Sequence, residues 1–198
     1  MSSHGHLVIF LHGIGASGAQ LMPLASSWRV GLPNTRFAAP DAPMRHRYGH
    51  QWFSTEGNPL DPMKVMAARK AFDELMDQAV CREGFADAHD RIAFVGVSQG
   101  AIVALDAVAS GRWKVGALVS FAGLLPPQLG SPASKGTPIL LVHGEADTTI
   151  PSAASTLAAA QLGAAGFKVE LDVEPGVGHT ISSAGAAKAL SFLKKSLL

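Results

Sequence analysis

Gly96-Val97-Ser98-Gln99-Gly100 holds the most legible chemistry in the chain, a serine with glycines two positions away on either side. The apolar run Arg91–Val97 precedes it and the helical pattern Ser98–Ser110 follows it. A serine on such a strand-to-helix turn, G-x-S-x-G, is held with its hydroxyl clear of the sheet and can act as a nucleophile. The glycines remove Cβ atoms that would strike the neighbouring strand and helix. Exposed N–H groups at the start of the helix favour negative charge developing there. A serine that merely N-caps its helix would look the same locally, so its partners decide.

A serine at its ordinary pKa needs a base within hydrogen-bond reach, and the base needs a carboxylate to orient it. Ligands of open α/β sheets lie beyond the carboxyl ends of the strands, so the residues after each apolar run are the ones to inspect. Asp147 follows "PILLVHG" (Pro138–Gly144), with Glu145 as a rival carboxylate two positions earlier. Asp172 lies inside a strand pattern and is set aside. His179 follows "KVELDVE" (Lys168–Glu174) in the glycine-rich stretch Pro175-Gly176-Val177-Gly178-His179. The order Ser98, Asp147, His179 is that of an α/β-hydrolase triad.

The loop Gly13–Gly18 spells G-x-G-x-x-G after the strand-like run Leu7–Leu11, and read literally it would cradle a dinucleotide, with Asp41 as the acidic partner. That reading leaves Ser98, Asp147 and His179 without a role. As one wall of a hydrolase site, the loop supplies the N–H of Ile14 as one oxyanion donor, and Gln99 supplies the other. His12 is then a structural loop histidine.

These residues need a scaffold of alternating strands and helices. Strands are expected at Leu7–Leu11, Thr35–Pro40, Arg91–Val97, Val115–Gly123, Pro138–Gly144 and Lys168–Glu174. Helices are expected at about Gly18–Trp28, Pro62–Arg82 and Ser98–Ser110, with one more after each of the last two strands; Gly111, Gly163 and Gly166 mark helix ends. The βα alternation predicts a mostly parallel sheet with helices on both faces, an α/β-hydrolase fold with reduced N-terminal strands, in a single domain over 1–198. Between Pro40 and Pro62 runs a long excursion expected to lack regular structure, and loops of that length shape sites. In it Trp52 and Phe53 offer apolar surface to a substrate pocket. Arg45, His46, Arg47, Tyr48 and His50 read as solvated loop residues, and Arg45 and Arg47 as an attraction for an anionic substrate group.

Composition narrows the function classes. Sixteen basic residues against 15 acidic ones leave a net charge of +1, which disfavours nucleic acid as a partner. Leu7–Leu11 is far shorter than a signal-peptide core, and no stretch has the length to span a bilayer, so a cytoplasmic protein without integral membrane association is expected. The one cysteine, Cys81, falls in a helical pattern and reads as buried packing.

With these residues in view, the chain resembles the phospholipase/carboxylesterase family of serine hydrolases, which includes acyl-protein thioesterases, and its compact bacterial esterase branch. "LHGIG", "PDAP", "QWFS", "GVSQGA", "HGEADTTIP" and "GVGH" occur in family order across nearly the whole chain. The resemblance implies Ser98, Asp147 and His179 as catalytic residues, Ile14 and Gln99 as oxyanion donors, and Trp52 near the acyl pocket. It implies a carboxylesterase acting on a small ester or thioester with no cofactor and no metal, compatible with a homodimer. Lysophospholipase or acyl-protein thioesterase activity is the alternative within the family. A non-catalytic module on the same scaffold and a nicotinamide-dependent oxidoreductase are the alternatives outside it.

Overall fold

The computed structural model describes residues 5–127 and 136–198. Six strands form one sheet: β1 (His6–Leu11), β2 (Thr35–Ala38), β5 (Ile92–Val97), β6 (Ala117–Phe121), β7 (Ile139–Gly144) and β8 (Val169–Glu174). Their order is β2-β1-β5-β6-β7-β8 and every pairing is parallel. Each predicted strand is present, shifted by a few residues at its ends.

Alternation along the strands decides which helix covers which face. Leu7, Ile9, Leu11, Ile92 and Phe94 point to the face covered by α2 (Pro62–Glu83), α3 (Gln99–Ala109) and α4 (Ala153–Ala164). Val8, Phe10, Ala93, Val95 and Val119 point to the face covered by α1 (Met22–Trp28) and α5 (Ser183–Leu197). These strands are buried on both faces, which is why they read as unbroken apolar runs rather than alternating ones.

Three expectations are corrected. The Pro40–Pro62 excursion contains a hairpin, β3 (Met44–His46) with β4 (Gly49–Gln51), whose register pairs Arg45 with His50. Strands of three residues are too short to carry a periodic signal. What holds the hairpin is the loop after β1: Gly15 N–H donates to His50 O at 2.8 Å, and His50 N–H to Ala16 O at 2.9 Å. Cys81 is exposed, because it lies off the buried stripe Phe72, Met76, Ala79 and Val80 of α2. Gly163 sits within α4, and the left-handed residue that follows this helix is Gly166, with φ of 91°.

The chain order fixes where a site forms. From β1 the sheet grows outward to β2, then returns to add β5 and its successors on the other side. The crevice between the carboxyl ends of β1 and β5 is therefore a topological switch point, the place where open α/β sheets bind ligands. Ile14 follows β1 and Ser98 follows β5.

Candidate active site

Ser98 lies between β5 and α3 with φ 52° and ψ −117°, a left-handed conformation rare for a residue bearing a Cβ. Such strain costs about 1–3 kcal/mol and persists only where the surroundings enforce it. Here the Ser98 N–H is tied to Phe121 O on β6 at 2.9 Å. The flanking glycines are required sterically. A Cβ at Gly96 would come within 2.5 Å of Ala101 Cα, and one at Gly100 within 2.1 Å of Leu11 O. The turn is therefore wedged between its own helix and the end of β1.

Ser98 makes no side-chain cap to its helix. Its Oγ lies 2.9 Å from Nε2 of His179, whose Nδ1 lies 2.6 Å from Oδ2 of Asp147. An ionised carboxylate can only accept, so Nδ1 carries the proton and Nε2 presents its lone pair to the serine hydroxyl. The side chain of Asp147 is fully buried. Burial pushes its carboxyl upward, but the hydrogen bond from His179 and the N–H groups of Ile150 and Thr149 outweigh this and hold it below the usual carboxylate value. Glu145, the rival carboxylate, is exposed.

His179 hangs on the loop between β8 and α5. That loop is strapped at its base, where Ser182 Oγ donates to Glu174 Oε1 at 2.5 Å and accepts from Gly185 N–H at 2.8 Å as the N-cap of α5. Sequence reasoning gave Glu174 and Ser182 no part; a serine three residues before a helical glycine is the only local hint.

Across the crevice, Ile14 is 40% exposed and its N–H has no acceptor among the described residues. The N–H of Gln99 opens α3, where first-turn donors lack intrahelical partners. His12 beneath them is buried; its Nε2 accepts from Ala42 N–H at 2.9 Å and its Nδ1 donates to Gly13 O at 2.7 Å. Burial holds its pKa below the ordinary histidine value, so it stays a neutral strut of the loop. The Asp41 carboxylate is engaged by the glycine loop itself: its Oδ1 accepts from Gly18 N–H at 2.8 Å and ties that loop to the segment after β2.

The two pocket residues part company. Trp52 is 1% exposed, with its indole N–H donated to His12 O at 2.8 Å and its ring against Phe72 at 5.7 Å. It backs the loop after β1 and does not line the cavity, because strand β1 and helix α2 offer an apolar slot large enough for an indole. Phe53 does line a cavity of about 200 Å³, together with Leu60, Val65, Phe72 and Ile102. Arg69, Asp106 and Arg112 also line it, and in this cluster the carboxylate of Asp106 takes Arg69 at 2.6 Å and Arg112 at 2.9 Å. A residue that sequence reading used only for its backbone joins this wall to the elbow. The Gln99 amide accepts from Trp52 N–H at 2.7 Å and donates to Phe53 O at 2.8 Å. Arg45 and Arg47 lie on the β3–β4 hairpin, exposed, and neither lines the cavity.

The phospholipase/carboxylesterase sequence pattern matches residues 1–197. The chain belongs to that family. It is an α/β-hydrolase and an enzyme of this family, and its relatives match across nearly the whole of this chain. A probable carboxylesterase of Oryza sativa subsp. japonica is 30% identical over 96% of this chain and 77% of its own. Acyl-protein thioesterase 1 of Gibberella zeae is 26% identical over 99% of this chain and 92% of its own. The crystal structure of esterase PE8 superposes with a TM-score of 0.87 at 30% identity, covering 98% of this chain and 94% of that one. Among the described residues no helix is long and apolar enough to cross a membrane.

Proposed function

We propose that this family member is a cytoplasmic, single-domain serine carboxylesterase that cleaves small carboxylic esters or thioesters through Ser98, His179 and Asp147. The observation that carries this reading is the 2.9 Å approach of His179 Nε2 to Ser98 Oγ, at a serine held with φ of 52°. Ser98 Oγ attacks the carbonyl carbon while its proton passes to His179 Nε2. Asp147 keeps the imidazole in the Nδ1–H tautomer and stabilises the imidazolium. The N–H groups of Ile14 and Gln99 take the oxyanion. As the tetrahedral adduct collapses, the carbon–oxygen or carbon–sulfur bond to the leaving group breaks, and His179 returns its proton to that group. Water, deprotonated by His179, then adds to the acyl-serine, and release of the acid restores Ser98.

The cavity beside Phe53 and Ile102 is the seat for the acyl chain: Ile102 lies one helical turn beyond Ser98 on α3, and the lining there is apolar. The names of the relatives, carboxylesterase and acyl-protein thioesterase, support both leaving-group classes. The reading is tested with Ser98→Ala, assayed on p-nitrophenyl esters and on an acyl thioester and exposed to a serine-directed fluorophosphonate. Loss of hydrolysis on both substrates and loss of labelling are expected; retained turnover would assign the chemistry to another residue.

A further inference from the structure

His143 closes β7 and has no part in the reaction described above. Its side chain is fully buried, with Nε2 at 2.7 Å from Ile150 O and Nδ1 at 2.6 Å from Ser155 Oγ on α4. A carbonyl oxygen only accepts, so Nε2 carries the proton and Nδ1 accepts from the serine hydroxyl. The same Nε2 lies 3.2 Å from Oδ2 of Asp147, the oxygen that accepts from His179. The other oxygen, Oδ1, accepts from the N–H groups of Thr149 at 2.8 Å and Ile150 at 2.9 Å. One imidazole therefore bears on the carboxylate twice: its Nε2 edge lies against Oδ2, and through Ile150 O it holds the residue whose own N–H donates to Oδ1.

We infer that His143 is a positioning residue for Asp147, holding the carboxylate so that one Oδ2 lone pair faces His179, with Ile150 O fixing the tautomer and the Ser155 hydroxyl anchoring the opposite ring nitrogen. The inference rests on the roles given to Ser98, His179 and Asp147 above. Among the described residues the titratable groups facing Asp147 are His179, from the loop after β8, and His143, from β7; α4 contributes the neutral Ser155 to the far side of His143. Without the N–H edge of His143, the carboxylate gains freedom to turn, and more of its charge falls on His179. The first effect slows the reaction. The second stabilises the His179 imidazolium, so activity is lost at a higher pH on acidification.

The experiment measures kcat and KM against pH on p-nitrophenyl acetate for the parent, His143→Leu, His143→Gln, Ser155→Ala and Ser98→Ala. Near-ultraviolet circular dichroism reports folding. His143→Leu is expected to lower kcat about tenfold, the scale of losing the hydrogen bond that anchors Ile150, with KM within about twofold. Its acid limb in kcat/KM moves to higher pH. His143→Gln places an amide N–H near the lost Nε2–H, and is expected to restore the parent limb and most of kcat. A folded His143→Leu with the parent kcat and parent limb overturns the inference. If His143→Leu does not fold, Ser155→Ala decides: its limb moves the same way if the inference holds, and an unmoved limb overturns it. Turnover by Ser98→Ala would sink the reading of the site itself. An inactive Ser98→Ala with unmoved limbs in the folded His143 and Ser155 variants sinks only the role of His143.

Discussion

Nε2 of His179 and Oγ of Ser98 stand 2.9 Å apart although 81 residues separate them in the chain. Two neighbouring devices aim them at each other. The wedge of Gly96 and Gly100 thrusts the serine out of the sheet, and the Glu174–Ser182 strap holds the base of the histidine loop. Among the described residues neither atom has another hydrogen-bond partner, so the pair is ready before a substrate arrives.

Asp147→Asn is expected to cost about three to four orders of magnitude in kcat, since an amide at this place favours the wrong tautomer of His179. It should also change the response to acid. The folded carboxyl of Asp147 lies below its unfolded value. Its contribution to stability is thus fully present above the unfolded pKa of about 4 and is lost as pH falls through the lower folded value. Urea unfolding of parent and variant between neutral pH and pH 3 checks this: the parent's advantage should shrink below about pH 5, and a constant difference contradicts it.

Gln99→Ala keeps the backbone N–H assigned to the oxyanion but strands two groups, Trp52 N–H and Phe53 O. A buried group left without its partner costs about 1–3 kcal/mol. The melting temperature should therefore fall by several degrees, by about 2–4 °C per kcal/mol for a chain of this size. KM should rise for esters whose acyl chain touches Phe53, and a variant with unchanged melting temperature would show that the amide bridge is idle.

Gly100→Ala places a methyl 2.1 Å from Leu11 O and 2.6 Å from His12 O, both backbone atoms that cannot step aside. The expected loss is about 3 kcal/mol or more, read as a fall of about 6–12 °C in melting temperature or as insoluble protein. A soluble variant melting with the parent would mean the elbow is looser than its geometry.

Chain-length preference follows from the cavity. From Ser98 to the Asp106 cluster α3 advances about 12 Å at 1.5 Å per residue. An extended chain covers about 1.2 Å per bond, so acyl chains of up to about eight to ten carbons should fit. Across p-nitrophenyl esters, kcat/KM should rise by up to about fourfold per methylene, the equivalent of about 0.8 kcal/mol of burial, and then level off. Ala68→Trp, which fills this lining, should remove the rise for octanoate and spare acetate. A parent profile that is flat with chain length would place the acyl group elsewhere.

Much of this site was legible because its signals are local. The elbow needs glycines at fixed offsets from its serine, and buried parallel strands need unbroken apolar runs. Chain order after each run then assigned Asp147 and His179. What misled was burial judged from residue type. Trp52 read as a pocket wall and Cys81 as packing, yet the tryptophan is enclosed behind the loop after β1 and the cysteine faces out from α2. The β3–β4 hairpin had no pattern to read, since its three-residue strands take their register from the Gly15 loop rather than from their own side chains.

By itself, then, the amino-acid order determined the succession of strands and helices, the strained serine turn and the loops that bring Asp147 and His179 to one sheet edge. Those follow from backbone sterics and periodicity, which act over a few residues. Only the tertiary structure decided that His143 backs Asp147, that the Gln99 side chain bridges to the Trp52–Phe53 backbone, and that Phe53 rather than Trp52 meets the cavity. Each of these joins residues from different elements, where a hydrogen bond depends on the distance between packed backbones, and no spacing along the chain encodes that distance.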